Sequence, residues 1–148
     1  MAAAVLEKDK NLFLQSFTQK NVLINLSSSL HDSKLRKYFI LGIGFHHAGL
    51  TLEDRILVED CFRNRLIMVL LCTNTLAMGV NLPAHLVVIK STEFYCRGKL
   101  EEYSESTLLQ MIGRAGRPQY DNKGVAVILT HNKNVVSLLK LFEDRKVY

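Results

Sequence analysis

Arg114 and Arg117 stand three residues apart, each directly after a glycine, in the run QMIGRAGRP at 110–118. The spacing predicts both on one side of the last turn of a short helix that Pro118 stops. Arginine keeps its charge and offers a planar fork that matches phosphate oxygens two at a time. Gly113 and Gly116 leave room for another molecule close to the backbone. Two forks converging on one point suit the charge that builds on a phosphoryl group in transfer. The same residues also describe a plain helix C-terminus with solvated arginines and glycine caps.

Two further segments carry polar chemistry. The first is FHHAG at 45–49. Paired histidines raise the question of a metal, but neighbours on an extended segment point to opposite faces, so a packed or hydrogen-bonded histidine is the expectation. With Gly49 and the start of the following helix, the pair could still meet a phosphate. The second is TNTLAMGVNLP at 73–83, where hydroxyls and amides at a strand-to-helix turn suit the grip of a nucleic-acid backbone. Its plain alternative is an ordinary loop with a threonine cap.

The elements that must position these segments alternate. Residues 2–11 favour helix, and Phe13, Phe17, Leu23, Leu26 and Leu30 recur at roughly helical spacing, interrupted by polar residues, with Ser27, Ser28 and Ser29 marking a break or a frayed end. Asp32 or Ser33 caps a short helix carrying Leu35, Tyr38 and Phe39. Residues 42–45 read as a strand. Thr51 opens a helix with Asp54 as its capping-box partner and Leu57, Val58, Cys61 and Phe62 as its buried stripe. The runs at 66–71, 86–89 and 125–129 are apolar without alternation, as expected of strands covered on both faces. Residues 97–103 are charged and read as an exposed loop. Ser104 or Ser106 caps the arginine-bearing helix, with Leu108, Leu109 and Ile112 inward, and residues 135–142 form a closing helix. Strands alternating with helices imply an α/β fold with a parallel, helix-covered sheet. Ligands of such sheets bind outside the carboxyl ends of the strands.

Composition sets the class. The chain has 148 residues, 48% of them hydrophobic and two of them proline, which is a globular profile. A formal net charge of +5 fits a polyanionic partner, weakly. Cys61, Cys72 and Cys96 are odd in number and widely spaced, so buried free thiols are expected in place of a zinc site or a disulfide framework. The first six residues lack the basic flank and long apolar run of a secretory signal, and no run reaches the length of a membrane span. A soluble intracellular protein without a membrane partner is the expectation.

In this order the segments resemble a known family. GFHHAGL at 44–50, TNTLAMGVNLPAHLVVIKST at 73–92 and QMIGRAGRPQYD at 110–121 look like motifs IVa, V and VI of superfamily 2 helicases of the Ski-like DExH group. The KLEEYSE connection at 99–105 and the wording MGVNLPAHLVVIKST look most like the meiotic crossover branch (the Mer/HFM type). Met78 and the lack of any tryptophan favour that branch over the tandem-cassette spliceosomal and cointegrator helicases.

The resemblance implies a fold and roles. The fold is a RecA-like parallel sheet flanked by helices, the second of two halves that sandwich ATP and move 3′ to 5′ along one strand. Residues 1–41 would be a helical lead-in and 42–148 the motif-bearing core. Arg114 and Arg117 would be arginine fingers on the γ-phosphate, with Gln110 and Gly113 near the nucleotide. Gly79 and Asn81 would link the nucleotide cleft to the nucleic-acid track. Thr73 and Thr75 would hold backbone phosphates, with His47, Ala48 and Gly49 close by. The implied partners are single-stranded or branched DNA, or RNA, and the first RecA-like half; the implied cofactor is ATP with Mg²⁺, bound mainly by that half; the implied compartment is the nucleus.

The sequence departs from the pattern in two ways. It has no GxxxxGK[ST] loop, since Leu100 follows Gly98 and Lys99, and no DExH run. The family's first strand, with its Phe-Cys-x-Thr-Arg-like run, also has no counterpart ahead of the first helix. The expectation is therefore part of a longer helicase, marginally stable and inactive toward ATP by itself. A non-catalytic nucleic-acid-binding module, or an interaction protein that pairs with the complete helicase, are the other readings.

Overall fold

The computed structural model describes residues 12–74 and 80–143. The helix expected over 2–11 and the first strand expected to be lacking fall outside these residues, as do Thr75 and Gly79. Two compact units divide between Leu82 and Pro83.

In the first unit, α1 (Phe17–Ser27) begins where the extended Ser16 accepts the Gln19 N–H at 3.0 Å. It ends in the serine run because the hydroxyls of Ser27, Ser28 and Ser29 each donate back to a carbonyl three residues earlier, at 2.7 Å. Phe17 is 77% exposed and does not join the apolar stripe. The next helix, α2 (Ser33–Phe39), is capped by Asp32, which accepts the Leu35 N–H at 2.7 Å.

Gly42 follows with φ +80, a left-handed turn that suits glycine, and leads into β1 (Ile43–His46). Thr51 caps α3 (Leu52–Arg63) by accepting the Asp54 N–H at 3.1 Å. β2 (Val69–Cys72) then pairs parallel to β1, with Ile43 opposite Val69 and His46 opposite Cys72. Leu23, Leu30, Leu35, Phe39, Leu50, Val58, Cys61 and Ile67 form one buried cluster among these elements.

Asp54 corrects the capping-box expectation. Its carboxylate does not reach back to Thr51; it accepts the N–H groups of His31 at 2.9 Å and Asp32 at 3.0 Å, with the His31 ring at 3.2 Å. A 1% exposed aspartate thus fastens the start of α2 to α3. Burial pushes its pKa up, but these hydrogen bonds outweigh burial and leave it below the ordinary value. A lowered native pKa stabilises the fold above about pH 4, and the contribution is lost as pH falls through the native value. Asp54→Asn should lower the urea midpoint near pH 6, and the gap to the parent chain should narrow near pH 3.

In the second unit, β3 (Leu86–Ile89) and β6 (Val125–Ile128) pair parallel, Leu86 opposite Val125 and Ile89 opposite Ile128. Between them lie β4 (Glu93–Cys96), β5 (Lys99–Glu102) and α4 (Glu105–Ile112), and α5 (Asn132–Glu143) follows β6. Parallel pairing in both units agrees with the expected α/β class. The loop expected over 97–103 is instead the second half of an antiparallel hairpin, Glu93 opposite Glu102. Arg97 at φ 47 and Gly98 at φ +81 supply the tight left-handed turn, and Phe94 stacks on Tyr103 at 4.7 Å. Turn chemistry and aromatic packing outweighed the charge of the segment.

The strands are also less covered than expected. Leu71 is exposed, and Leu86, Val88, Val125, Val127 and Leu129 are all 41% or more exposed. Cys61 is buried, which pushes its thiol up to about 11, but Cys72 is exposed and Cys96 intermediate, so one of the three thiols fits the buried expectation. All three are free. No described helix is long and apolar enough to cross a membrane.

Candidate functional site

The first two polar segments meet in the first unit, because the register sets the ends of β1 and β2 side by side. The Thr73 N–H extends the ladder, donating to the His46 carbonyl at 3.2 Å. His46 is 5% exposed, and its Nε2 lies 2.7 Å from Glu59 Oε1 on α3. His47 points the other way, as the strand geometry requires. Its Nδ1 accepts the Gly49 N–H at 3.2 Å and its carbonyl accepts the Leu50 N–H at 3.1 Å. Ala48 and Gly49 are exposed while Leu50 is buried. The result is a tight turn, anchored by Leu50 below and presenting His47, Ala48, Gly49 and Thr73 around the carboxyl ends of two parallel strands. Such ends are where ligands of open sheets bind. Glu59 carried no signal in the sequence beyond its place on α3. Asn81 is exposed in the same unit.

The arginine segment lies in the second unit and corrects the sequence reading. Helix α4 starts at Ser104, which accepts the Thr107 N–H at 3.3 Å, and ends at Ile112, with Gly113 as its cap. Both arginines therefore lie beyond the helix, and Pro118 does not terminate it. The Arg114 and Ala115 N–H groups close the final turns on Met111 and Ile112, at 3.2 and 2.8 Å. Gly116, at φ +92, then redirects the chain. Gln110 and Gly113 are exposed, and Arg114 and Arg117 partly so.

This loop is strapped to the segments just ahead of β3 and β6, at the amino ends of those strands. The Ala84 N–H donates to the Arg114 carbonyl at 2.9 Å, and the Gly116 N–H donates to the Ala84 carbonyl at 2.7 Å. Gly124 sits so close that a Cβ there would lie 2.5 Å from the Ala115 oxygen and 2.9 Å from the Gly116 nitrogen. Backbone cannot step aside as a side-chain tip can. Gly124→Ala should therefore cost about 1–3 kcal/mol and displace the arginine loop, read as a lower urea midpoint together with shifted amide resonances at residues 114–117.

Arg117 is held by a group that sequence reasoning assigned no role. Asp121 Oδ2 accepts the Arg117 Nε–H at 2.8 Å and its backbone N–H at 2.9 Å, while Oδ1 accepts from Nη2 at 2.9 Å. His85 Nδ1 approaches the same Oδ1 at 3.1 Å. The hydrogen bond from Arg117, and the others with it, holds the Asp121 carboxyl far below the usual carboxylate range. The same pair raises the Arg117 pKa. The signal available in the sequence was an aspartate four residues after an arginine; His85 gave none.

A backbone-strapped arginine loop follows α4 in the second unit, and a turn of histidine and glycine beside Thr73 closes the strand ends in the first. The chain belongs to the helicase conserved C-terminal domain family, whose model matches residues 6–119; it is the C-terminal, RecA-like half of a Ski-like helicase. It is 55% identical over 129 residues to the mouse probable ATP-dependent DNA helicase HFM1, covering 87% of this chain and 9% of that protein. It is 46% identical over 127 residues to the Arabidopsis thaliana ATP-dependent DNA helicase homolog MER3, covering 84% of this chain and 11% of that protein. Rat activating signal cointegrator 1 complex subunit 3 is 47% identical over 129 residues, 85% of this chain and 6% of that protein. The chain thus spans about a tenth or less of the length of the curated relatives it matches.

Proposed function

We propose that this chain is the second RecA-like domain of an ATP-dependent DNA helicase that moves 3′ to 5′ and acts in meiotic recombination in the nucleus. One observation carries the reading: 55% identity over 129 residues to a protein described as an ATP-dependent DNA helicase. The cointegrator subunit reaches 47% over the same length, which favours the HFM1 branch over the cointegrator branch; an RNA helicase of the same group is the alternative. In this reading, residues 1–41 are a helical lead-in to the core at 42–148.

Arg114 and Arg117 act as fingers toward the γ-phosphate of ATP, with Gln110, Gly113, Gly79 and Asn81 on the nucleotide side. The fit is to phosphate, since Asp121 takes only one edge of the Arg117 fork. In this reading Mg²⁺ and most of the ATP contacts are supplied by the first RecA-like half, and the chain by itself turns over no ATP. His47, Ala48, Gly49, Thr73 and Thr75 hold backbone phosphates of single-stranded or branched DNA.

The test adds the chain to a separately purified first half from a similar helicase, with ATP and single-stranded DNA. Stimulated hydrolysis supports the reading. A cooperatively folding chain that gives no stimulation counts against it. A second reading, a nucleic-acid-binding module without catalysis, draws on the Asp121 clamp, which gives Arg117 a structural role of its own. That reading expects salt-sensitive DNA retention that Arg117→Ala leaves intact, with no stimulation.

A further inference from the structure

We infer that Asp121 is a positioning residue for Arg117, fixing the edge of the guanidinium that faces a phosphate; this rests on the finger role proposed above. Arginine has many rotamers, and a finger that must find its place at each turnover gives up part of its effect. Here the search is closed off. The Asp121 side chain is 6% exposed and receives Arg117 at three points: Nε, Nη2 and the backbone N–H. Fixing a residue's backbone and the side of its fork through one carboxylate sets position and direction together.

The carboxylate is itself fixed. The Asp121 N–H donates to the Arg117 carbonyl at 2.8 Å, closing the turn from the other side, and His85 props Oδ1 from the segment ahead of β3. The neighbouring Ala84 straps the same loop through the Arg114 carbonyl and the Gly116 N–H. The Tyr120 ring lies 5.6 Å from the guanidinium carbon. Nε and one face of Nη2 are committed to Asp121, so the end of the fork that carries Nη1 is the edge directed to a phosphate oxygen. A surface ion pair serving stability alone needs neither the backbone contact nor the prop.

The experiment compares Asp121→Asn with the parent chain in the reconstituted ATPase assay. The expected result is a fall in kcat of roughly tenfold or more, with KM for ATP and retention on single-stranded DNA within about twofold. Loss of kcat, KM and DNA retention together with the cooperative melt would mark a structural role and overturn the inference. So would an unchanged kcat in Asp121→Asn while Arg117→Ala abolishes stimulation, a result that leaves the finger reading standing. If the parent chain gives no stimulation, or Arg117→Ala changes nothing, the finger reading itself fails and the inference goes with it. A second measurement needs no variant at position 121. The Arg117 Nε–H resonance, assigned by its loss in Arg117→Lys, should exchange slowly with water at neutral pH; exchange as fast as that of the exposed Arg97 would overturn the inference.

Discussion

Arg117→Ala is expected to lower the ATPase rate of the reconstituted halves by about 10³–10⁵-fold, the range of arginine fingers in phosphoryl transfer. That range corresponds to about 4–7 kcal/mol of transition-state stabilisation. The loss should fall on kcat, because the charge that Arg117 would meet builds up only as the phosphoryl group departs. Arg117→Lys should recover little, since an ammonium cannot engage Asp121 and a phosphate through two edges of one plane. The substitution also leaves the Asp121 carboxylate, 6% exposed, with the His85 ring near Oδ1 in place of the guanidinium. A thermal melt of each variant therefore accompanies the kinetics, and a kcat within tenfold of the parent in a folded Arg117→Ala chain would reject the finger role.

Phe39→Ala should cost about 3–5 kcal/mol, a large share of the stability of a domain of this size. Phe39 is fully buried at the end of α2 and belongs to the cluster that includes Leu23, Leu35, Val58 and Ile67. The helix start above it is pinned by Asp32 and Asp54, and Gly42 fixes the exit below, so the backbone is poorly placed to collapse into the space. Nearly all the buried apolar residues described belong to the first unit, while Ile89 and Leu108 are those of the second. A urea titration should show the loss in probes of residues 12–74, and an unfolding free energy within about 1 kcal/mol of the parent would show that the cluster relaxes around the gap.

Much of the local structure was legible because it is decided by neighbours in the chain. Asp32, Thr51 and Ser104 cap helices through the N–H three residues on, and that chemistry needs nothing distant. The same holds for the serine break after α1 and for the opposite pointing of His46 and His47. The identity of the three motif segments was legible too, and with it the family. Where the reading failed, a distant group had intervened. Asp54 was available to Thr51, but the N–H groups of His31 and Asp32, more than twenty residues away, took its carboxylate. The charge of residues 97–103 pointed to a loop, yet the left-handed turn at Arg97 and Gly98 and the packing of Phe94 on Tyr103 made a hairpin.

The arginine pair divides in the same way. The sequence alone determined that two guanidinium groups follow two glycines in a motif that resembles one of the helicase family. It could not place them beyond the helix, because the end of α4 is set by the pull of Ala84 on Arg114 and Gly116, some thirty residues apart in the chain. Nor could it show that Asp121 holds one fork while Gly124 presses the loop from behind. Caps, turns and motif types are written in adjacent residues; the direction in which Arg117 points is a property of contacts that exist only once β3, α4 and β6 have come together.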